Sequence, residues 1–263
     1  MLVCVLGDLL LDVIVRLDGP IAADTDTYGR TRVGAGGQAA NVAAWVVELG
    51  GRARFIGKRA DDAAGRIVAA ELEGRGVELA GPVVDVGTGT VVSVATPDGS
   101  RAMLSDRGVA TTLSPEELAP SWVDGCDRLH VPGYSLAAEP FASAVLAVRA
   151  DVPRASLDLS SVTAIESAGV DRFRELANRL EPDLVFATEE EADLAGPVDG
   201  ATLVLKRGAR GCSVDGRDHA ARPAQVVDTT GAGDAFAAGF LLGGPDLALE
   251  AAARCVQRMG AMP

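Results

Sequence analysis

Short apolar segments alternate with helical patterns along most of this 263-residue chain. Strands that alternate with helices favour a mostly parallel sheet with helices on both faces. The sequence therefore predicts an α/β fold. The predicted strands of the sheet are 2–6, 53–56, 128–131, 156–159, 184–186 and 203–205, and the predicted helices are 38–49, one that ends at 74, 139–149, 170–180, 189–194, 233–242 and 247–258.

Two stretches, residues 9–33 and 88–107, depart from this alternation because no helix separates their strand-like runs. Asp98-Gly99 lies between β-branched runs, which is a strong hairpin signal. We expect both stretches to project from the main body. No repeat, low-complexity linker or composition change divides the chain, so residues 1–263 are predicted to form a single domain.

The charge balance and the cysteines narrow the functional class. A net charge of −13, without a cluster of Lys and Arg, argues against a nucleic-acid partner. Four cysteines far apart, without C-x-x-C spacing, indicate buried thiols in a reducing cytoplasm. Asp8 and Asp12 interrupt the apolar N-terminus, and no uninterrupted apolar run appears long enough to cross a membrane.

The stretch DTTGAGDAF, residues 228–236, carries the clearest chemistry. A strand-like run, Gln225 to Val227, precedes it, and an Ala-rich helical pattern follows. The small residues at positions 231–233 let backbone N–H groups approach an anion at a helix N-terminus. Asp234 follows at once, where it would repel a phosphate unless it accepts a proton from an attacking hydroxyl. The segment therefore predicts phosphoryl transfer. Taken alone, such a turn is as often only tight packing.

A second glycine-rich helix entry, GAGGQAANVA at residues 34–43, places Asn41 one turn inside a predicted helix. Asp12 lies upstream on the first projecting strand. A carboxylate and an amide together can bind vicinal hydroxyls, because the carboxylate accepts two hydrogen bonds and the amide both donates and accepts. The alternatives are a helix-capping amide for Asn41 and a solvated charge for Asp12.

The pair GGQAAN and DTTGAGDAF resembles the two signatures of the ribokinase-like (PfkB) carbohydrate kinase family, and the similarity extends over essentially the whole chain. The resemblance implies a three-layer α/β/α body with a small β-sheet lid, formed here by the strands near 9–33 and 88–107. It implies transfer of the γ-phosphoryl group of ATP to a hydroxymethyl of a sugar or a related alcohol, with Mg²⁺ and often a monovalent cation such as K⁺. It also implies a catalytic base at Asp234, an anion hole at Gly231, Ala232 and Gly233, and acceptor-binding positions at Asp12, Gly36, Gly37 and Asn41.

The same resemblance assigns the nucleotide and ion positions. TEEEA at 188–192 matches a family motif that organises magnesium through water, with Glu191 in the Glu position and Thr188 in place of the usual Asn. Otherwise, residues 189–191 are first-turn acids favoured by the helix dipole. Asp228 matches a carboxylate near the monovalent-cation loop, or it fixes the turn by hydrogen bonds. KRGARG at 206–211 resembles a nucleotide-side turn, in which Gly208 and Gly211 would let the backbone approach ATP. Lys206 would contact a phosphate, or it is equally a surface lysine at the end of a strand.

Three further expectations concern the ends and the lid. The C-terminal RCVQRMGAMP resembles a shortened form of the family's closing loop, which puts potassium dependence in question. Lid strands often pair between subunits in this family, which implies a homodimer. Arg101, Arg107 and Tyr134 are candidates for contact with the acceptor, and His130 is expected to be a packed structural histidine.

Two other functions compete with a sugar kinase. A nucleoside or vitamin-alcohol kinase of the same fold would share Asp12 and Asn41, although few aromatic residues are present to stack a base. A non-catalytic sugar or nucleotide sensor on a kinase scaffold would explain Thr188 but would not need Asp234. The sequence leaves the acceptor itself open.

Overall fold

A mostly parallel β-sheet forms the middle of the molecule. The structure, a computed structural model, describes residues 1–98 and 101–263, and only the backbone of Arg101. In spatial order the strands of the sheet are β15, β14, β13, β12, β11, β10, β1, β4 and β6. They are β1 Leu2–Leu6, β4 Arg52–Ile56, β6 Glu78–Ala80, β10 Arg128–Pro132, β11 Ala155–Asp158, β12 Leu184–Ala187, β13 Thr202–Lys206, β14 Cys212–Val214 and β15 Arg217–His219.

Helices cover both faces of this sheet. They are α1 Gln38–Glu48, α2 Ala63–Gly74, α3 Gly133–Leu136, α4 Phe141–Arg149, α5 Val162–Ala168, α6 Val170–Leu180, α7 Glu189–Ala195 and α8 Ala232–Cys255. On β1, Val3 and Val5 face the core formed with α1, α2 and α8, while Cys4 and Leu6 face the core formed with α4 and α6. A strand buried on both faces is apolar at every position. The three-layer α/β/α body is therefore confirmed.

A second, smaller sheet stands beside this body. Its strands are β2 Leu10–Leu17, β3 Gly29–Gly36, β8 Thr88–Ala95 and β9 Arg101–Gly108, in the order β3-β2-β8-β9. A short pair, β5 Arg59–Ala60 and β7 Val83–Val84, lies apart from both sheets. The two stretches that interrupt the alternation thus pair with each other. We call the four-stranded sheet the lid.

Several expectations at the level of single elements need correction. The run Gln225–Val227 is not a strand: Val226 and Val227 are largely exposed and no neighbouring strand pairs with them, so a loop leads into the glycine turn. The antiparallel extension by β14 and β15 and the helices α3 and α5 were not predicted. Of the hairpin signal Asp98-Gly99, the glycine lies outside the described residues. The single-domain organisation over 1–263 stays a prediction.

The element α8 contains both predicted helices, 233–242 and 247–258, as two helical segments on either side of a kink, and the second segment ends at Cys255. Its backbone leaves helical geometry at Gly243 and Gly244, just before Pro245. Within the described residues it is the helix that by length and composition is apolar enough to cross a membrane, and half of its most apolar stretch is buried in the protein. A buried core helix meets the same criterion, so the finding is weak evidence for a membrane span.

Candidate active site

A cavity of about 990 Å³ lies between the lid and the carboxyl ends of the parallel strands. This is the edge at which open α/β sheets bind their ligands. Lid residues on one side include Asp12, Ser105 and Arg107, and the far side includes Glu191, Lys206 and Gly208. Between them, the cavity lining contains Asn41, Gly231, Gly233 and Asp234.

Asp234 lies in the first turn of α8 and connects the two ends of the cavity. Its Oδ2 accepts a hydrogen bond of 2.8 Å from Nδ2 of Asn41 in α1. Its enclosure raises the pKa of Asp234 to about 8, the bond from Asn41 lowers it, and Asp158, Lys206 and Asp8 act through their charges. A carboxyl with a pKa near neutrality can exchange a proton with a bound hydroxyl.

Asn41 itself is almost fully buried, and its Oδ1 has no hydrogen-bond partner in the described structure. The sequence assigned Asn41 to acceptor binding. In the structure Oδ1 is available to accept a hydrogen bond from a hydroxyl, whereas Nδ2 holds the carboxylate of Asp234. The motif spacing gave no sign of this contact, because 193 residues separate the two positions.

The glycine turn before Asp234 has two distinct constraints. Gly231 has φ of 77°, and an added Cβ would lie 2.5 Å from Ala261, so close packing on the C-terminal segment requires glycine there. At Gly233 the nearest atom to an added Cβ is Nζ of Lys206 at 3.7 Å. Gly231 and Gly233 line the cavity, whereas Ala232 begins α8 and is not among the lining residues.

Asp12 of β2 and Gly36 of β3 lie against each other on the lid. An added Cβ on Gly36 would lie 2.0–2.2 Å from the carboxyl group of Asp12, so glycine at 36 makes room for this carboxylate. Burial, together with the charges of Asp8 and Glu71, raises the pKa of Asp12 to about 7. Asp12 is therefore a cavity-facing acid and not a solvated surface charge.

Asp8 is a site residue that the sequence reading missed. It follows β1, is 4 % exposed, and its Oδ2 accepts a 2.7 Å hydrogen bond from Arg107 of β9. The guanidinium of Arg107 also stacks 3.8 Å from the centre of the Tyr134 ring. Gly37, with φ of 95°, brings its α-carbon against the Asp8 backbone, where an added Cβ would meet the carbonyl oxygen at 2.6 Å. The position of Asp8 just after the parallel strand β1 was the sequence signal that could have indicated a site residue.

Lys206 ends β13 and forms an ion pair with Asp158, the last residue of β11. Nζ donates to both carboxylate oxygens at 2.9 and 2.7 Å. Burial alone would lower the pKa of Lys206, but the charges of Asp158 and Glu191 outweigh it and raise the pKa. Asp158 is a second residue that the sequence reading missed.

The two glycines after Lys206 separate in the structure. Gly208 lines the cavity, and an added Cβ would meet nothing within 4 Å, so the backbone there is open to a ligand. Gly211 is not among the lining residues. An added Cβ on Gly211 would lie 2.0 Å from the carbonyl oxygen of His219. Packing between β14 and β15 therefore explains Gly211 without a nucleotide.

Glu191 and Thr188 form a capping box at the start of α7. Oγ1 of Thr188 accepts the Glu191 N–H at 3.2 Å, and Oε2 of Glu191 accepts the Thr188 N–H at 2.8 Å. Glu191 is nearly buried yet lines the cavity, so its carboxylate both caps the helix and faces the cavity. Within residues 1–98 and 101–263, no group of three His, Cys, Asp or Glu side chains could hold a metal alone.

Asp228 ties the loop before the glycine turn to the C-terminal segment. Oδ1 accepts hydrogen bonds from the N–H and hydroxyl of Thr230 at 3.0 and 2.7 Å, and Oδ2 accepts the Gly260 N–H at 3.1 Å. These contacts account for Asp228 as a turn-fixing residue. Its role at a monovalent cation stays a prediction.

His130 lies inside the core, away from the cavity lining. It is fully buried, and Nδ1 is 3.0 Å from the hydroxyl of Ser156. Desolvation lowers its pKa to about 4, so the ring is neutral at physiological pH.

Arg107 and Tyr134 do line the cavity, as expected, and the side chain of Arg101 lies outside the described part of the chain.

This fold and cavity define a class of enzyme. The model of the pfkB family carbohydrate kinases matches residues 1–262, and the chain belongs to that family. It is therefore a phosphotransferase that acts on an alcohol group.

Individual relatives agree with this assignment. Fructokinase-1 of Zea mays is 31 % identical, over 91 % of this chain and 82 % of that protein. Adenosine kinase from Sinorhizobium meliloti superimposes with a TM-score of 0.82 at 26 % identity, over 99 % of this chain and 95 % of that one. A putative ribokinase II from E. coli, in complex with ATP and Mg²⁺, superimposes with a TM-score of 0.82 at 22 % identity, over 99 % and 94 %. The ribokinase-like fold is thus confirmed.

Proposed function

We propose that this protein transfers the γ-phosphoryl group of ATP to a hydroxymethyl of a sugar or sugar-like molecule, with Asp234 as the general base. One observation carries the proposal. Asp234 lies in a single cavity that Asp12 and Asn41 also line, together with Lys206 and Glu191. We assign hydroxyl binding to the end with Asp12 and Asn41, and phosphate binding to the end with Lys206 and Glu191. A base is useful at the point where these two ends meet, because there it can reach the attacking hydroxyl.

The chain's residues divide the chemistry between them. Asp12 and Oδ1 of Asn41 bind hydroxyls of the acceptor and orient it, and Asp234 takes the proton of the reacting hydroxyl. Backbone N–H groups of the turn at 231–233 stabilise the charge on the transferring group. General-base catalysis typically contributes ~10²–10⁴ in rate, and a fixed oxyanion donor ~10²–10³. The lid excludes water, which limits hydrolysis of ATP.

The phosphate end fits a nucleotide and a hydrated magnesium ion. Lys206 offers a cation, Gly208 has open backbone, and Glu191 faces the cavity with a carboxylate that can hold metal-bound water. Mg²⁺ commonly keeps several waters and takes few protein ligands beside phosphates, so the lack of a protein-only cluster in the described residues suits it. ATP supplies the phosphoryl group, and magnesium neutralises its developing charge when bound. For potassium, the only support is the position of Asp228.

An ATP-consumption assay across acceptors tests the proposal. We expect magnesium-dependent ADP release with a sugar, and we begin with fructose because fructokinase-1 of Zea mays is a relative. Asp234→Asn should lose at least ~10²-fold in kcat while it still binds ATP and unfolds cooperatively. Near-wild-type turnover of Asp234→Asn on the best acceptor would contradict the assigned base.

The same panel separates the competing functions. The similarity to adenosine kinase keeps a nucleoside acceptor in the comparison. Turnover of adenosine in preference to every sugar would establish the nucleoside alternative. Tight binding of one acceptor without turnover of any would establish a sensor.

We also propose a homodimer through the lid, in a reducing compartment such as the cytoplasm. Cross-strand register places Val33, Val13, Val92 and Leu104 in one row, on the face opposite Asp12. Val33 is 55 % exposed and Leu104 is 60 % exposed, and such an apolar row favours association. The four cysteines are free and buried, which agrees with a reducing compartment.

A further inference from the structure

Asp158 is the most buried carboxylate beside the cavity, and two donor groups hold it through three hydrogen bonds. Its side chain is 0 % exposed. Oδ1 accepts hydrogen bonds from Nζ of Lys206 at 2.9 Å and from the Ser160 N–H at 2.9 Å, and Oδ2 accepts from the same Nζ at 2.7 Å. A buried ion pair costs much desolvation energy and is weak evidence for stability alone. Stability alone therefore does not explain the buried ion pair of Asp158 and Lys206.

The lysine of this pair lies beside the reacting groups. Its Nζ is the nearest atom to a Cβ built on Gly233, at 3.7 Å, and it lines the cavity with Asp234 and Glu191. Lys206 thus stands close to the turn that is proposed to hold the transferring phosphoryl group. Asp158 itself is not among the residues that line the cavity, and it contacts the site through Lys206.

A lysine this close to Asp234 could form an ion pair with it and so reduce its ability to act as a base. In a low-dielectric cavity an ammonium group and a carboxylate attract strongly. A direct pair between Lys206 and Asp234 would stabilise the charged carboxylate, reduce its basicity and occupy the oxygen that must accept the hydroxyl proton. In the structure Lys206 instead uses two hydrogen bonds on Asp158, and Asp234 keeps its bond to Asn41.

We propose that Asp158 is a positioning residue, which holds Lys206 toward the phosphate end of the cavity and keeps it out of an ion pair with Asp234. The inference rests on the proposed function, because it assumes that Asp234 is the base. It assigns to Asp158 a role that neither sequence signature contains.

Groups from several elements shift the pKa of Asp234, some upward and some downward. These opposite directions make the inference testable. Asn41 of α1 and Lys206 of β13 lower its pKa, whereas Asp158 of β11 and Asp8 after β1 raise it. Tyr134 and Cys255 also lie within its electrostatic reach. The charges of Asp158 and Lys206 therefore act on Asp234 in opposite directions.

The experiment measures the acidic limb of kcat/KM for the acceptor, at one fixed concentration of magnesium and ATP. With Asp158→Asn we expect the limb to move to lower pH, by about one unit, because a negative charge is lost and Lys206 is released toward Asp234. With Lys206→Met we expect it to move to higher pH. The double variant should return toward wild type. We also expect kcat of Asp158→Asn to fall at least about tenfold, a part of the base's contribution.

A matched control is the ion pair between Arg128 and Asp183 at the opposite edge of the sheet, where Nη2 donates to Oδ2 at 2.7 Å. Asp183→Asn removes a similar charge and should leave the limb in place. If Asp158→Asn does not fold, the double variant is compared with Lys206→Met, and its limb should lie lower.

Two results would overturn the inference. If Asp234→Asn is inactive but neither Asp158→Asn nor Lys206→Met moves the limb, Asp158 has only a structural role and the proposed function stands. If Asp234→Asn retains normal turnover, the proposed base is wrong and the inference fails with it. The two failures are therefore distinguishable.

Discussion

The substitution Gly36→Ala tests the acceptor end with the smallest possible change. The added methyl carbon would lie 2.0 Å from Cγ of Asp12, against about 3.4 Å for an ordinary contact. The methyl group meets only the end of a short side chain, so the carboxylate must move by about 1.4 Å while the backbone can stay in place. A displacement of that size at a reacting centre can cost ~10²-fold in rate.

We therefore expect kcat/KM for the acceptor to fall by ~10²-fold in Gly36→Ala, with KM for ATP unchanged and a stability loss of ~1–3 kcal/mol. Steady-state kinetics with each substrate varied, together with thermal unfolding, measure these quantities. Gly74→Ala is a control, because an added Cβ there meets nothing within 4 Å. Gly37→Ala provides a contrast: its methyl group meets backbone at 2.6 Å and its φ is 95°, so stability should fall more. Unchanged acceptor kinetics in a folded Gly36→Ala would refute the placement of Asp12 in the acceptor site.

Two other predictions concern stability and assembly. Burial holds the pKa of Asp234 at about 8, above the ~3.9 of an unfolded aspartate, so this group's contribution to stability is present below about pH 4 and is lost as pH rises through about 8. Asp234→Asn should thus unfold at a higher temperature than wild type at pH 9 but not at pH 4, and equal differences at both values would contradict the pKa. Leu104→Lys should convert a lid dimer to a monomer, as measured by light scattering. Ile67→Lys, at an exposed apolar residue of α2, is the control and should leave the dimer intact. A wild-type protein that is monomeric at micromolar concentration would exclude the dimer.

The local pattern was enough to predict most of the body. Six strands of the parallel sheet (β1, β4 and β10 to β13) and the helices other than α3 and α5 lie within a few residues of their predicted places, because each is a short run with its own apolar period. The parallel edge strand β6 was not predicted. The pattern failed where burial does not follow from local sequence. Val226 and Val227 have strand-forming side chains, yet they pass over the surface and pair with no strand. The short strands β14 and β15 carry polar residues and depend on β13 for pairing.

The sequence alone determined the family and the alternation of strands and helices. It also determined the residues of the glycine turn with Asp234, since these residues lie within a few positions of one another. Only the tertiary structure could decide how the site is connected. Asn41 meets Asp234 across 193 residues, Arg107 meets Asp8 across 99, and Lys206 meets Asp158 across 48. The contact between Lys206 and Asp158 forms because the sheet brings the carboxyl ends of distant strands to one edge. The other two form because α1, α8 and the lid strand β9 meet at that same edge. The burial that results, and no local motif, raises the pKa of Asp234 to about 8. The same tertiary arrangement pairs Lys206 with Asp158.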